Sequence, residues 1–213
     1  MSEELARRYR GRVVFGPFEP VDPDETSALE REIGQALPPA YRAFLDAANG
    51  GNLPYSVRVP PGPDGEPISY SDLFRLGRDR RGEYGWGTLL GEYRRLQQSR
   101  LAEHLPVTTL LPIARTGGDD LVFLDLAPDR YGQVLGLVHG LPEWAGSRAG
   151  DMSGALADDF DAYLDALFID RDLAEDTWAD TAHLDPADPW RRVVEQWLDG
   201  GLADWRTRPW ATG

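Results

Sequence analysis

The stretch 37-LPPAYRAFLDAANGG-51 reads as a short helix with both ends fixed. Pro38 or Pro39 falls where a missing N–H costs nothing, because the first turn has no intrahelical partner for it. Asn49, Gly50 and Gly51 supply the left-handed conformations that close the last turn. Between them Tyr41, Phe44, Leu45 and Ala48 recur at i, i+3, i+4 and i+7, one apolar stripe set against one core.

Upstream, 24-DETSALEREIGQAL-37 predicts another helix, capped by Asp24 or Thr26, with Leu29, Ile33 and Leu37 on one face. Val13 to Phe15 predicts a short strand inside a basic N-terminal stub. Downstream, residues 55–77 predict two or three strands around an Asp64-Gly65 turn. Residues 84–101 predict a helix with Leu89, Tyr93 and Leu96 along one side. The clearest β signal is 107–140, where turns at Gly117-Gly118 and at 127-APDRYG-132 separate three strands of an antiparallel meander. Its middle strand is largely apolar on both faces, Val122, Leu124 and Leu126 on one and Leu121, Phe123 and Asp125 on the other, so both faces are expected to be covered at least in part.

Then 153-SGALADDFDAYLDALF-168 predicts one amphipathic helix, with Leu156, Phe160, Tyr163, Leu164, Leu167 and Phe168 inward and Asp158, Asp161 and Asp165 outward. From about residue 174 the chain reads as loop until 188-DPWRRVVEQWLDGG-201. There Asp188 caps, Pro189 takes the first position, and Trp190, Val193, Val194, Trp197 and Leu198 keep helical spacing.

With 213 residues, 41% of them hydrophobic, and seven tryptophans, the chain can fill one generous domain. No apolar run follows the N-terminal arginines as a secretory leader requires, so a cytoplasmic location is expected. The net charge is -14, and all 22 basic residues are arginine. Residues 151–189 hold twelve acidic side chains against Arg171 alone, which places eleven of the fourteen net negative charges there. Such a field repels nucleic acid and anionic membranes and attracts a cationic protein.

The order of these pieces resembles the SUKH superfamily, named partly after the yeast Smi/Knr cell-wall regulators. Two features carry the resemblance: 37-LPPAYRAFLDAANGG-51 and the hairpin within 110-LLPIARTGGDDLVFLDL-126, followed by 132-GQVLGLVHG-140 and the acidic helix. It covers about residues 25–170, which sets a domain at 1–173 and a Trp-rich helical C-terminal extension at 174–213. The resemblance implies an α+β domain with a mostly antiparallel sheet flanked by helices. In bacteria it further implies an intracellular, non-enzymatic immunity protein that binds and neutralises a polymorphic toxin, often a nuclease, encoded beside it. An alternative is a regulator or scaffold that holds a cellular protein.

Enzymatic readings find little support. His104, His139 and His183 are dispersed, and with no cysteine or lysine there is neither a zinc spacing nor a phosphate loop, so no cofactor or metal is expected. Adjacent Asp119 and Asp120 point to opposite sides of a strand end and suit a turn, which leaves only a hydrolase built on carboxylates such as Asp119 and Asp125 to be tested. For a basic toxin the expected contacts are Asp158, Asp161, Asp165, Asp172, Glu175 and Asp176, with Trp178, Tyr84, Trp86 and Trp144 as aromatic anchors. Arg75, Arg78, Arg80 and Arg81 form a basic patch expected to pair with the acidic segment.

Overall fold

Residues 4–140 and 151–212 are described by a computed structural model. Trp144 lies outside the described residues. The N-terminal stub is a hairpin of β1 (Ala6–Tyr9) and β2 (Arg12–Phe15), turned at Arg10 and Gly11, both at positive φ. Helix α1 (Pro23–Ile33) starts two residues earlier than the sequence suggests: Asp22 caps it and Pro23 opens the first turn.

Helix α2 (Pro39–Ala47) buries Tyr41, Phe44 and Leu45 as its stripe predicts. Its end works differently from the expectation. Gly50 and Gly51 take positive φ, and a Cβ at Gly51 would lie 2.2 Å from the Phe15 carbonyl oxygen. Asn49 acts instead through its side chain. Buried at 1% exposure, it accepts the Leu76 N–H at 2.8 Å and donates to the Leu76 carbonyl at 3.1 Å, tying the helix end to the sheet region.

A small hairpin of β3 (Val57–Val59) and β4 (Glu66–Ile68) precedes the main antiparallel sheet, ordered β5 (Asp72–Leu73), β6 (Leu110–Arg115), β7 (Leu121–Asp125), β8 (Val134–Val138) and β9 (Met152–Ala157). Both faces of β7 are covered. Val122 and Leu124 join the main core, while Phe123 packs with Leu96, Val107, Leu110 and Leu137 under α3 (Leu89–Gln97).

Residues 153–168 are not one helix. Ser153 to Ala157 pair with β8, and α4 (Phe160–Ala166) begins only after Asp159 caps it. The free edge of β8 offers backbone partners to a run containing Gly154, a poor helix former, so pairing prevails over the weak helical pattern. Leu156, Phe160, Tyr163, Leu164 and Leu167 are all buried even so, because alternation and helical spacing put these same residues inside.

The stretch after 174 is not loop either. It continues α5 (Arg171–Ala182), followed by α6 (Pro189–Gly201) and α7 (Pro209–Thr212). Asp188 caps α6 as expected, accepting from the Trp190 and Arg191 N–H groups. Trp197, fully buried, meets Phe15 at 5.8 Å and Tyr55 at 6.3 Å between ring centroids, and Trp190 meets Phe15 at 4.8 Å. The tail therefore shares the core of the rest of the chain. No helix among the described residues is long and apolar enough to cross a membrane.

Candidate partner interface

The acidic segment separates into three groups of four. Asp159, Asp170, Asp185 and Asp188 each accept a nearby backbone N–H at a helix start or turn. Asp161, Asp165 and Glu175 are ion-paired, and Asp151 faces a histidine ring. Asp161 lies 3.2 Å and Asp165 3.9 Å from the Arg10 guanidinium, Glu175 lies 3.9 Å from Arg171, and Asp151 lies 3.4 Å from the His139 ring. Asp151 also accepts the Gly140 N–H, and that bond, with the nearby histidines, holds its carboxyl below the usual carboxylate range. The remaining four, Asp158, Asp172, Asp176 and Asp180, are exposed, and their carboxylates have no hydrogen bond or ion pair among the described residues.

Three of those four form a row. Asp172, Asp176 and Asp180 recur every fourth residue on α5, roughly 6 Å apart along its axis. Such spacing is unfavourable for the helix itself. Like charges at i, i+4 repel by about 0.2–0.5 kcal/mol per pair, and Asp180 stands in the last turn, where the helix dipole disfavours an anion. No basic residue occupies that turn. Sequence reasoning named Asp172 and Asp176 but missed Asp180, which one further step of the four-residue count reaches. Asp158 stands apart, in the turn between β9 and α4.

Trp178 is not an exposed anchor. Only 6% exposed, it packs edge-on against Trp205 at 4.6 Å, with the Arg191 guanidinium 5.2 Å from its ring centroid. Its contribution is to fasten the inner face of α5, so that the outer acidic face is presented on a rigid support. Tyr84 is half-buried between the guanidinium groups of Arg78 and Arg94, at 4.6 and 5.3 Å, and its hydroxyl accepts from Arg78. Trp86 is the expected anchor that lies open: it is 69% exposed, with Arg95 stacked 3.4 Å from its ring centroid.

The basic patch pairs elsewhere than expected. Arg78 binds Glu25, Arg81 binds Asp79 and Glu83, and Arg75 reaches Glu19. Sequence neighbours, Glu25 on α1 and Glu19 just before it pair with three of the four arginines, and Arg80 has no ion-pair partner among the described residues. The acidic helix α4 is met instead by the β1–β2 turn, where Arg10 reaches the two carboxylates and Arg12 donates to the Asp165 carbonyl.

A cleft of about 400 Å³ lies beside Trp86, lined also by Arg95, Arg100, His104, Asp119 and His139. Its one hydroxyl, on Ser99, donates to the Leu96 carbonyl and accepts the Leu101 N–H, so it is committed to the backbone. The hydrolase pair does not converge. Asp119 borders this cleft, while Asp125, 1% exposed at the other end of β7, binds the Ala127 N–H and the Arg130 guanidinium. Asp120 latches the hairpin by accepting the His139 N–H at 2.7 Å. His183 ends α5, exposed. No cluster of metal-ligating side chains occurs among the described residues.

Comparison with known proteins gives one match. No curated protein and no solved structure matches the chain. The model of the SMI1 / KNR4 family (SUKH-1) matches residues 20–166, from just before α1 to the end of α4, and leaves the β1–β2 hairpin and α5 to α7 outside. A match over most of the chain, on a mixed α+β fold with an antiparallel sheet, places the protein in the SMI1 / KNR4 family (SUKH-1).

Proposed function

We propose that this chain is a non-enzymatic immunity protein that binds a cognate, positively charged toxin domain in the cytoplasm and neutralises it by occlusion. Membership of the family is consistent with an immunity-type protein. The observation that carries the finer reading is the row of Asp172, Asp176 and Asp180, an unneutralised anionic ridge on a helix anchored from beneath by Trp178. A nuclease must hold phosphates and so carries a cationic cleft, and such a ridge imitates the phosphate backbone that the cleft binds. Steering by the ridge speeds encounter by roughly 10- to 1000-fold at low salt.

Co-expression with the toxin encoded beside the gene tests this, read as growth rescue. Rescue accompanied by a stoichiometric complex is the expected result. A toxin that kills regardless, with no complex at micromolar concentration, overturns it. Association should also slow markedly between about 50 and 200 mM salt. In the Asp172→Asn/Asp176→Asn/Asp180→Asn variant that salt dependence should largely vanish.

A further inference from the structure

The two edges of the main sheet are treated differently. At β5, only two residues long, Asn52 bridges to Asp72 and to Phe15, so the β1–β2 hairpin continues the sheet and covers that edge. At the other edge β9 carries no charge and no proline, the devices that keep an edge strand from pairing. Its one irregularity, a bulge at Leu156, leaves Met152 to Ala155 in regular register with Val138 to Leu135.

Hydrogen-bond phase shows which backbone groups are open. The Asp125 N–H donates to the Gln133 carbonyl, so alternation turns Leu135 and Leu137 toward β7 and Gly136 and Val138 toward β9. Gly154 and Met152 therefore pair with β8, and the N–H and C=O groups of Ser153 and Ala155 point away from the sheet. No described residue bonds to them.

Cavities flank this edge on both faces. On the face of the main core, about 410 Å³ lies between β9 and Val59, Pro60 and Pro61 of the β3–β4 hairpin. A second space of about 260 Å³, sharing Pro61 and Leu156 with the first, extends to Phe168. On the opposite face about 170 Å³ is lined by Leu105, Pro106, Phe123 and Leu135, and also by the paired Asp125 and Arg130. A strand added to β9 would send alternate side chains into each, with main-chain bonds supplying affinity and the cavities specificity.

The geometry points to β9 as the site where the toxin partner adds an extended strand bearing large apolar side chains at alternate positions. This assignment rests on the immunity reading above and locates its anchoring contact, separate from the steering row on α5. A second copy of the chain fits poorly as the occupant. Of the two large side chains on β9, Leu156 is already buried in its own core, so pairing β9 with itself would add Met152 alone on that face and only Ser153 and Ala155 on the other.

Hydrogen–deuterium exchange resolved to single residues, on the full chain alone and with the toxin domain, tests the assignment directly. The Ser153 and Ala155 amides should exchange fast in the free protein and become protected in the complex. Ser153→Pro/Ala155→Pro removes two outward donors that β8 does not use, so the fold should persist, verified by thermal melting. Kd should then rise roughly 30-fold or more, mainly through faster dissociation. A complex in which both amides stay unprotected and the proline variant binds normally overturns the β9 assignment and leaves the immunity reading standing. Protection that grows with protein concentration in the absence of toxin assigns the edge to self-association and overturns it also. If the wild-type chain forms no complex, the immunity reading fails and takes this assignment with it.

Discussion

Helices α4 and α5 follow one another and carry similar densities of carboxylate, yet they present opposite surfaces. On α4 the outward acids meet Arg10 at the tip of the β1–β2 turn. On α5 the lone Arg171 serves Glu175, and Asp172, Asp176 and Asp180 stand free. Net charge along a sequence is thus a poor map of surface field. A residue about 150 positions away decides which acids are available to a partner, and only the fold brings it there.

The contrast depends on α5 being held. Its inner face rests on α6 and the tail, whose largest fully buried side chain is Trp197, so Trp197→Ala is the strongest way to break the comparison. Emptying that site should cost about 3–5 kcal/mol, read as a lowered denaturant midpoint. If the tail were a loosely attached appendage, the loss would fall well below 1 kcal/mol.

How legible all this was in the sequence differs by element. Helix α2, the meander and the Asp188-capped α6 could be read directly, because stripe, turn residues and cap agreed at each. The boundary between β9 and α4 could not. Leu156 and Phe160 are both buried, and a four-residue interval satisfies a helix as well as a strand followed by a cap. Helix α5 gives little helical signal in the sequence because its apolar face is narrow, with Ala174, Trp178 and Thr181 as its buried positions. Tertiary packing on Trp205 supplies what local propensity lacks. Of the expected contacts, Asp172 and Asp176 stand free of ion pairs, Trp86 lies open, and Trp178 belongs to the core. Ion pairing of Asp161 and Asp165 was invisible because Arg10 is remote in sequence.

The comparison can be sharpened by the same chemical change on each helix. Asp176→Asn/Asp180→Asn relieves two like-charge pairs and an unfavourable helix-end charge, so it should stabilise the protein by about 1 kcal/mol at low salt. Asp161→Asn removes a partner of Arg10 and should destabilise by a few tenths of a kcal/mol, the usual scale for a partly exposed pair. Opposite signs in thermal melts at low salt would establish that α4 is neutralised within the fold and α5 is not. Equal signs would erase the distinction.

The smallest effect concerns the clasp behind α5. Asp199 accepts the Trp205 indole N–H at 2.8 Å and is ion-paired with Arg206, whose hydrogen bonds hold its carboxyl below the usual carboxylate range. A carboxyl depressed in the folded state adds stability that is fully present above its unfolded value, near pH 4, and is lost as pH falls through the lower folded value. The contribution is small because both partners are about half exposed and solvent screens them. Acidification below pH 4 should therefore shift the Trp205 indole N–H resonance before global unfolding, with the Trp178–Trp205 contact loosening and α5 losing its backing. In Asp199→Asn the amide oxygen still accepts from the indole but no longer titrates, so that early shift should disappear. Its persistence would place the acid-sensitive step elsewhere and separate the clasp from the presentation of the acidic row.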